Sequence, residues 1–274
     1  MATGLLTTMG FDAAAQHSYA SRNMIAVLSP AKTLDYTKPL PDLQTTAPRF
    51  ESEATVLSEA ASGLGEQRLM DLMDISPALA SLNAERFANF PALPSRPALF
   101  AFAGDVYTGF DVRSADPEAI TFAQDHVRML SGLYGLLRPL DEIRPYRLEM
   151  GTKWGPHTGD LYSFWQDRVA RLLAADTEAE GSRTIIDLAS REYWRAVEGK
   201  LPDDIRVIRI DFREQGPDGL KFNSFGAKRA RGAMARHICE HRLTDADAIK
   251  GFDQDGYAFD AAGSEPDMWR FIRA

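Results

Sequence analysis

Residues 128–141 read Arg-Met-Leu-Ser-Gly-Leu-Tyr-Gly-Leu-Leu-Arg-Pro-Leu-Asp, and how this run folds decides what kind of surface the chain offers. Apolar positions keep a helical spacing over 117–130, and Gly132 and Gly135 then interrupt it. The pattern predicts a helix, a tight Gly-x-x-Gly turn, and further chain that Pro139 restrains. Glycines let such a turn expose backbone N–H groups, which suit a phosphate oxygen, and a helix starting there adds its positive end. This is the composition of a helix-hairpin-helix element, which grips a nucleic-acid backbone without reading bases. An ordinary corner between two helices, with glycines for close packing, has the same composition. Arg128, Arg138, Arg144 and Arg147 lie close by and favour a polyanion.

Outward from this run, short apolar segments at 24–28, 99–103, 184–188 and 207–212 read as strands. The turn Gly216-Pro217-Asp218-Gly219 leads into 220–225 as a hairpin partner, and 257–260 reads as a final strand. Helical spacing marks 51–72, 161–175 and 227–242, with short helices opening at Ser76-Pro77, at Asn83 and at Thr244 with Asp247. Strands and helices mix without a regular βαβ alternation. The reading is α+β: a single compact domain over 24–274, a mixed sheet surrounded by helices, and a loose extension over 1–23.

Composition narrows the setting. A chain of 274 residues that is 45% apolar and 26% charged can bury a core without disulfides or metals. Its one cysteine, Cys239, cannot pair within the chain, which favours a reducing compartment. No apolar run is long enough to span a bilayer, and the first residues lack the pattern of a signal peptide. A cytoplasmic monomer without membrane contact is expected. Net charge is −8, against nucleic acid on average, but binding depends on the local field. Residues 221–242 hold six Lys/Arg and one Glu, with Lys228, Arg229, Arg231, Arg236 and Arg242 around one side of a helix. A polyanion site needs such charge separation; a solvated helix face produces it equally well.

Three further loops follow strands. Ser29-Pro30-Ala31-Lys32-Thr33-Leu34-Asp35 offers Lys32 as an anion clamp or tuned amine, and has no glycines for a phosphate loop. Gly104-Asp105-Val106-Tyr107-Thr108-Gly109 places Asp105 and Tyr107 on a constrained loop, and Ser190 and Glu192 follow the strand at 184–188. Converging on one cleft, Lys32, Asp105, Tyr107, Ser190 and Glu192 would serve an enzyme acting on a nucleotide-like or other anionic small molecule, with Lys32 as nucleophile or clamp and Asp105 or Glu192 as acid/base. His237 and His241 match the H-x-x-E-H spacing of a zinc site, yet they border an apolar helix face and no partner ligand stands out. Neither a metal nor a cofactor is expected.

Read together, these segments resemble the signature blocks of the peroxide-stress YaaA family: the loops beginning at Ser29 and Gly104, RMLSGLYGLLRPLDEIRPYRLEMG from Arg128, LYSFW from Leu161, DLASREYW from Asp187, SFGAKRARG from Ser224 and GYAFD from Gly256. The resemblance covers everything but the first residues. It implies a helix-hairpin-helix element and a positively charged cleft in a compact α+β fold. It also implies double-stranded or distorted DNA as ligand, and a role in limiting hydrogen-peroxide and iron-driven damage. The hairpin maps onto Gly132, Leu133, Tyr134 and Gly135, and the basic site onto Lys228, Arg229 and Arg231. Three places depart from the family pattern: Asp187 stands where Asn is expected, Gly226 replaces an aromatic residue that could stack on a base, and the His237/His241 pair is not part of the pattern.

Overall fold

The computed structural model describes residues 23–274. The extension expected over 1–23 lies outside the described residues but for Asn23. The core is one mixed sheet. Strands β1 (Ile25–Leu28), β3 (Val127–Ser131), β6 (Thr184–Leu188), β7 (Arg206–Gly216) and β10 (Met268–Arg273) run parallel in the order β3-β1-β6-β7-β10. Antiparallel β4 (Gly135–Leu137) closes one edge and β9 (Tyr257–Glu265) the other. A small second sheet pairs β2 (Arg96–Pro97) with β5 (Glu142–Ile143). The expected class, a mixed sheet flanked by helices, is the one observed.

β1 is apolar at all four positions and buried on both faces, as a central parallel strand requires. β7 alternates instead. Ile208, Ile210 and Phe212 enter the core, while Arg209, Asp211 and Arg213 occupy the other face. β8 (Gly219–Lys221) pairs with the last residues of β7, and Glu214 has Arg273 of β10 on one side and Lys221 of β8 on the other. β8 therefore lies on the edge of β7 that β6 shares, beyond the carboxyl end of β6.

Helices α1 (Glu51–Ser62) and α2 (Gly65–Met73) divide the single helix expected over 51–72. The two short helices expected at 76 and 83 are one, α3 (Pro77–Ala88), in which Ser76 caps the start and Asn83 is interior. The strand expected over 99–103 is a helical turn, α4 (Ala98–Ala101), joined by a lone bridge from Phe102 to Leu34. α5 (Asp105–Phe110) follows, and α6 (Pro117–His126) stops where β3 begins, four residues before the expected end. α7 (Leu161–Trp165) and α8 (Arg168–Ala179) are split at Gln166, whose φ of 50° no helix accepts. α9 (Arg191–Trp194) leads away from β6, and α10 (Ser224–Glu240) is the long basic helix. Capping of the next turn falls to Asp245, not Thr244.

α10 crosses α5 backbone to backbone. A Cβ on Gly232 would lie 1.7 Å from the Val106 carbonyl oxygen, and one on Gly109 2.0 Å from that of Arg229. Arg236, expected on the solvated side, is buried here and donates to the carbonyls of Phe110 and Asp111 at the end of α5.

Candidate functional site

The Gly-x-x-Gly run is a β-hairpin and not a helix-hairpin-helix. Val127–Ser131 and Gly135–Leu137 pair antiparallel, with Gly135 at a φ of 66°. Gly132, Leu133, Tyr134 and Gly135 are buried. The Tyr134 N–H serves the fold, going to Ser131 Oγ at 2.9 Å, and the Tyr134 carbonyl accepts the Leu136 N–H. Gly132 is needed because Leu148 passes over it, its carbonyl oxygen 2.2 Å from where a Cβ would stand. Tyr134 accepts the Arg144 N–H, and burial pushes its phenol up to about 12. Arg128 is buried too, its guanidinium held by Asp176, and Arg138 is fastened to buried Asp141. These side chains hold the hairpin down.

At the carboxyl ends of β1, β3 and β6, polar loops do converge. Ser29 Oγ accepts the Ser190 N–H at 2.8 Å and lies 3.2 Å from Ser190 Oγ. Tyr107 donates to the Ser29 carbonyl at 2.9 Å; burial raises its phenol well above the ordinary range, so it stays a donor. Glu192 Oε1 accepts the Gly151 N–H at 2.9 Å, tying the loop after β6 to residues 147–151. Buried Glu149 takes Lys32 at 3.2 Å and Arg147 at 3.1 Å, both on Oε1, while its Oε2 is buried and has no partner. Neither Arg147 nor Glu149 stood out in the sequence as part of such a site. Asp105 stands apart. It is exposed at the start of α5 and lines a cavity of about 530 Å³ with Tyr107, Asp35, Thr108 and Arg113. Neither Lys32 nor Glu192 lines that cavity.

The basic stretch divides. Lys228 and Arg229 are exposed, with Arg229 paired to Asp255 at 3.2 Å. Arg231 turns into a separate cavity beside Asp187. Ahead of them, a ledge of apolar side chains is left in water: Leu220, Phe222 and Phe225 are 42%, 52% and 71% exposed. Arg213 lies over the Phe222 ring at 5.6 Å and Lys228 over the Phe225 ring at 5.8 Å. The ledge is firmly mounted. Asn223 caps α10 by accepting the N–H groups of Phe225 and Gly226, and donates to buried Glu214 at 3.0 Å. Tyr257 and Arg273 also bond Glu214. Gly226, the glycine in place of an aromatic, packs against this carboxylate.

The histidine pair forms no metal site of its own. The rings lie 4.2 Å apart, His241 Nδ1 contacts the His237 carbonyl, and burial lowers His237. Among the described residues there is no group of three ligands that could hold a metal ion, and no helix long and apolar enough to cross a membrane.

Fold and site together define a mixed-sheet protein with a polar strand-end cluster and a cation-flanked aromatic ledge at one end of its sheet. The family model described as peroxide stress protein YaaA matches residues 24–263, and the chain belongs to that family. A UPF0246 protein of Rhizorhabdus wittichii is 58% identical over 251 residues, 91% of this chain and 99% of the relative. UPF0246 proteins of Cupriavidus pinatubonensis and Jannaschia sp. are 48% and 47% identical, covering 91% and 92% of this chain and 98% and 97% of their own lengths. Membership implies a role in peroxide stress.

Proposed function

We propose that the chain serves peroxide stress by binding nucleic acid on the ledge formed by β8 and the first turn of α10. The observation that carries this reading is the pair of exposed phenylalanines, each with a cation over its ring. A phenyl face in water is a platform on which any base can stack, worth about 1–3 kcal/mol per base. Lys228 over the Phe225 ring and exposed Lys221, next to Phe222 in the chain, supply positive charge for the phosphates. The surface favours DNA whose bases are already displaced, because a stacked duplex must first be opened. Bulged or otherwise distorted DNA is therefore the preferred ligand.

The test places 2-aminopurine at a single-base bulge and follows its fluorescence on titration with the protein. Stacking on the ledge changes the signal and Phe225→Ala abolishes the change. A signal unaltered by Phe225→Ala refutes the ledge.

A second reading rests on Glu149 Oε2, a buried carboxylate oxygen without a partner, beside exposed Lys32. Such an oxygen is placed to take a proton from a bound molecule, with Lys32 as its anion clamp. Lys32→Ala protein that binds DNA normally yet fails to protect peroxide-challenged cells supports a catalyst; full protection rules it out.

A further inference from the structure

The charged face of β6, β7 and β10 shares only Arg213 with the ledge, and it encloses a cavity of about 410 Å³. Register places Asp187 beside Arg209 and Arg270 beside Asp211. The lining holds five arginines and three carboxylates, a surplus of two positive charges in a chain whose net charge is −8. We propose that this cavity is a binding site for a compact, doubly charged oxyanion: a phosphate or a phosphate monoester group.

The arginines are not used up by their neighbours. Asp211 takes Arg213 at 2.9 Å and Arg270 at 3.2 Å, and Arg209 spans Asp187 and Glu198 at 3.6 and 3.5 Å. Arg191 and Arg231 make no ion pair among the described residues. Arg231 is half-buried, its Nε is shut from water without a partner, and burial lowers its guanidinium despite Asp187 and Asp211. A purely structural ion-pair lattice would balance its charges, since a desolvated cation without a counter-ion is costly. An oxyanion in the cavity removes that cost. Guanidinium forks suit tetrahedral oxyanions, which they hold through paired N–H groups.

Asp187 makes the site respond to acid. Burial raises its carboxyl to about 6, against the Ala189 N–H, Arg209 and Arg231. The charged groups that line the cavity with it are Arg209, Asp211 and Arg213 from β7, Arg231 from α10, Arg270 from β10, and Arg191 and Glu198 beyond β6. As pH falls through 6, Asp187 takes a proton and the positive surplus grows.

The test is isothermal titration calorimetry of the full chain with sodium sulfate and with inorganic phosphate, at an ionic strength fixed with chloride. Sulfate keeps its charge across the range, so its pH dependence reports the protein alone. One saturable site is expected, with sulfate bound at least about threefold tighter at pH 5.5 than at pH 7.5. Arg231→Gln and, on the exposed side, Arg191→Gln each weaken it about tenfold. Asp187→Asn tightens binding and flattens the pH profile. The absence of saturable heat, or affinity unchanged in both arginine variants, overturns the site. A nucleoside monophosphate and 5′-phosphorylated against 5′-hydroxyl oligonucleotides separate the two sources of the group. Preference for the free monophosphate assigns a metabolite; preference for the phosphorylated end assigns a nucleic-acid terminus. Phe225→Ala leaves the sulfate isotherm unchanged, so failure here and failure of the ledge are distinguishable.

Discussion

Gly232→Ala puts a methyl group where α10 and α5 touch. The added Cβ would stand 1.7 Å from the Val106 carbonyl oxygen and 2.8 Å from the Phe110 nitrogen, both backbone atoms. Restoring ordinary contact near 3.4 Å means parting the helices by about 1.7 Å, with no flexible side chain to absorb the shift. Overpacking of this kind costs up to about 3 kcal/mol. Alanine returns about 1 kcal/mol of helix propensity. The net loss is about 2 kcal/mol, a fall in Tm of about 4–8 °C for a domain of this size. Gly251→Ala is the control, since nothing lies within 4 Å of its added Cβ. Thermal unfolding followed by circular dichroism reads both. A Gly232→Ala protein that melts within about one degree of wild type refutes the close crossing.

Three other outcomes are expected. Asp187 has a carboxyl raised in the fold from 3.8 to about 6, so its contribution is fully present below pH 4 and lost as pH rises through 6. Asp187→Asn, which keeps an oxygen for the Ala189 N–H, removes that slope from denaturant-unfolding curves and gains up to about 3 kcal/mol at pH 7. Arg128→Ala leaves Asp176 with Arg49 alone and destabilises by roughly 3 kcal/mol, with nucleic-acid affinity of the folded protein unchanged in anisotropy titrations. Cys239 is fully buried with its thiol pushed far up, so a thiol reagent finds none in the native protein and one equivalent after denaturation; rapid native labelling would contradict this burial.

Strand positions within the sheet were legible wherever one signal dominated. The runs at 184–188 and 207–212 are β-branched and lie where expected, and 227–242 keeps a helical face of Ala227, Ala230, Met234 and Ile238. The run from Arg128 misled because both its faces are buried. It shows neither strand nor helix periodicity, and its arginine looks like surface until Asp176, 48 residues away, supplies the partner. The run at 99–103 failed for the same reason, four buried apolar residues being too few to separate a turn of helix from a strand. β10 shows no clean alternation in sequence, because Met268 and Ile272 are apolar beside Trp269 and Phe271, and only the fold reveals that Trp269 and Phe271 share the buried face. In the site, the residues right after β1 and β6 could be found by position. Glu149 could not, because its place beside Lys32 depends on the chain returning over Gly132. The ledge was hidden because hydrophobicity alone does not reveal which phenylalanines a fold leaves outside.

The measurement that tests the central claim most directly is fluorescence anisotropy of labelled bulged, duplex and single-stranded DNA across a salt series, for wild type, Phe225→Ala and Lys228→Glu. Affinity strongest for the bulged DNA, falling steeply between about 50 and 200 mM salt, weakened about tenfold by Phe225→Ala and abolished by Lys228→Glu, is the result predicted. No binding at low salt, or binding that neither substitution changes, would contradict the ledge as the nucleic-acid site.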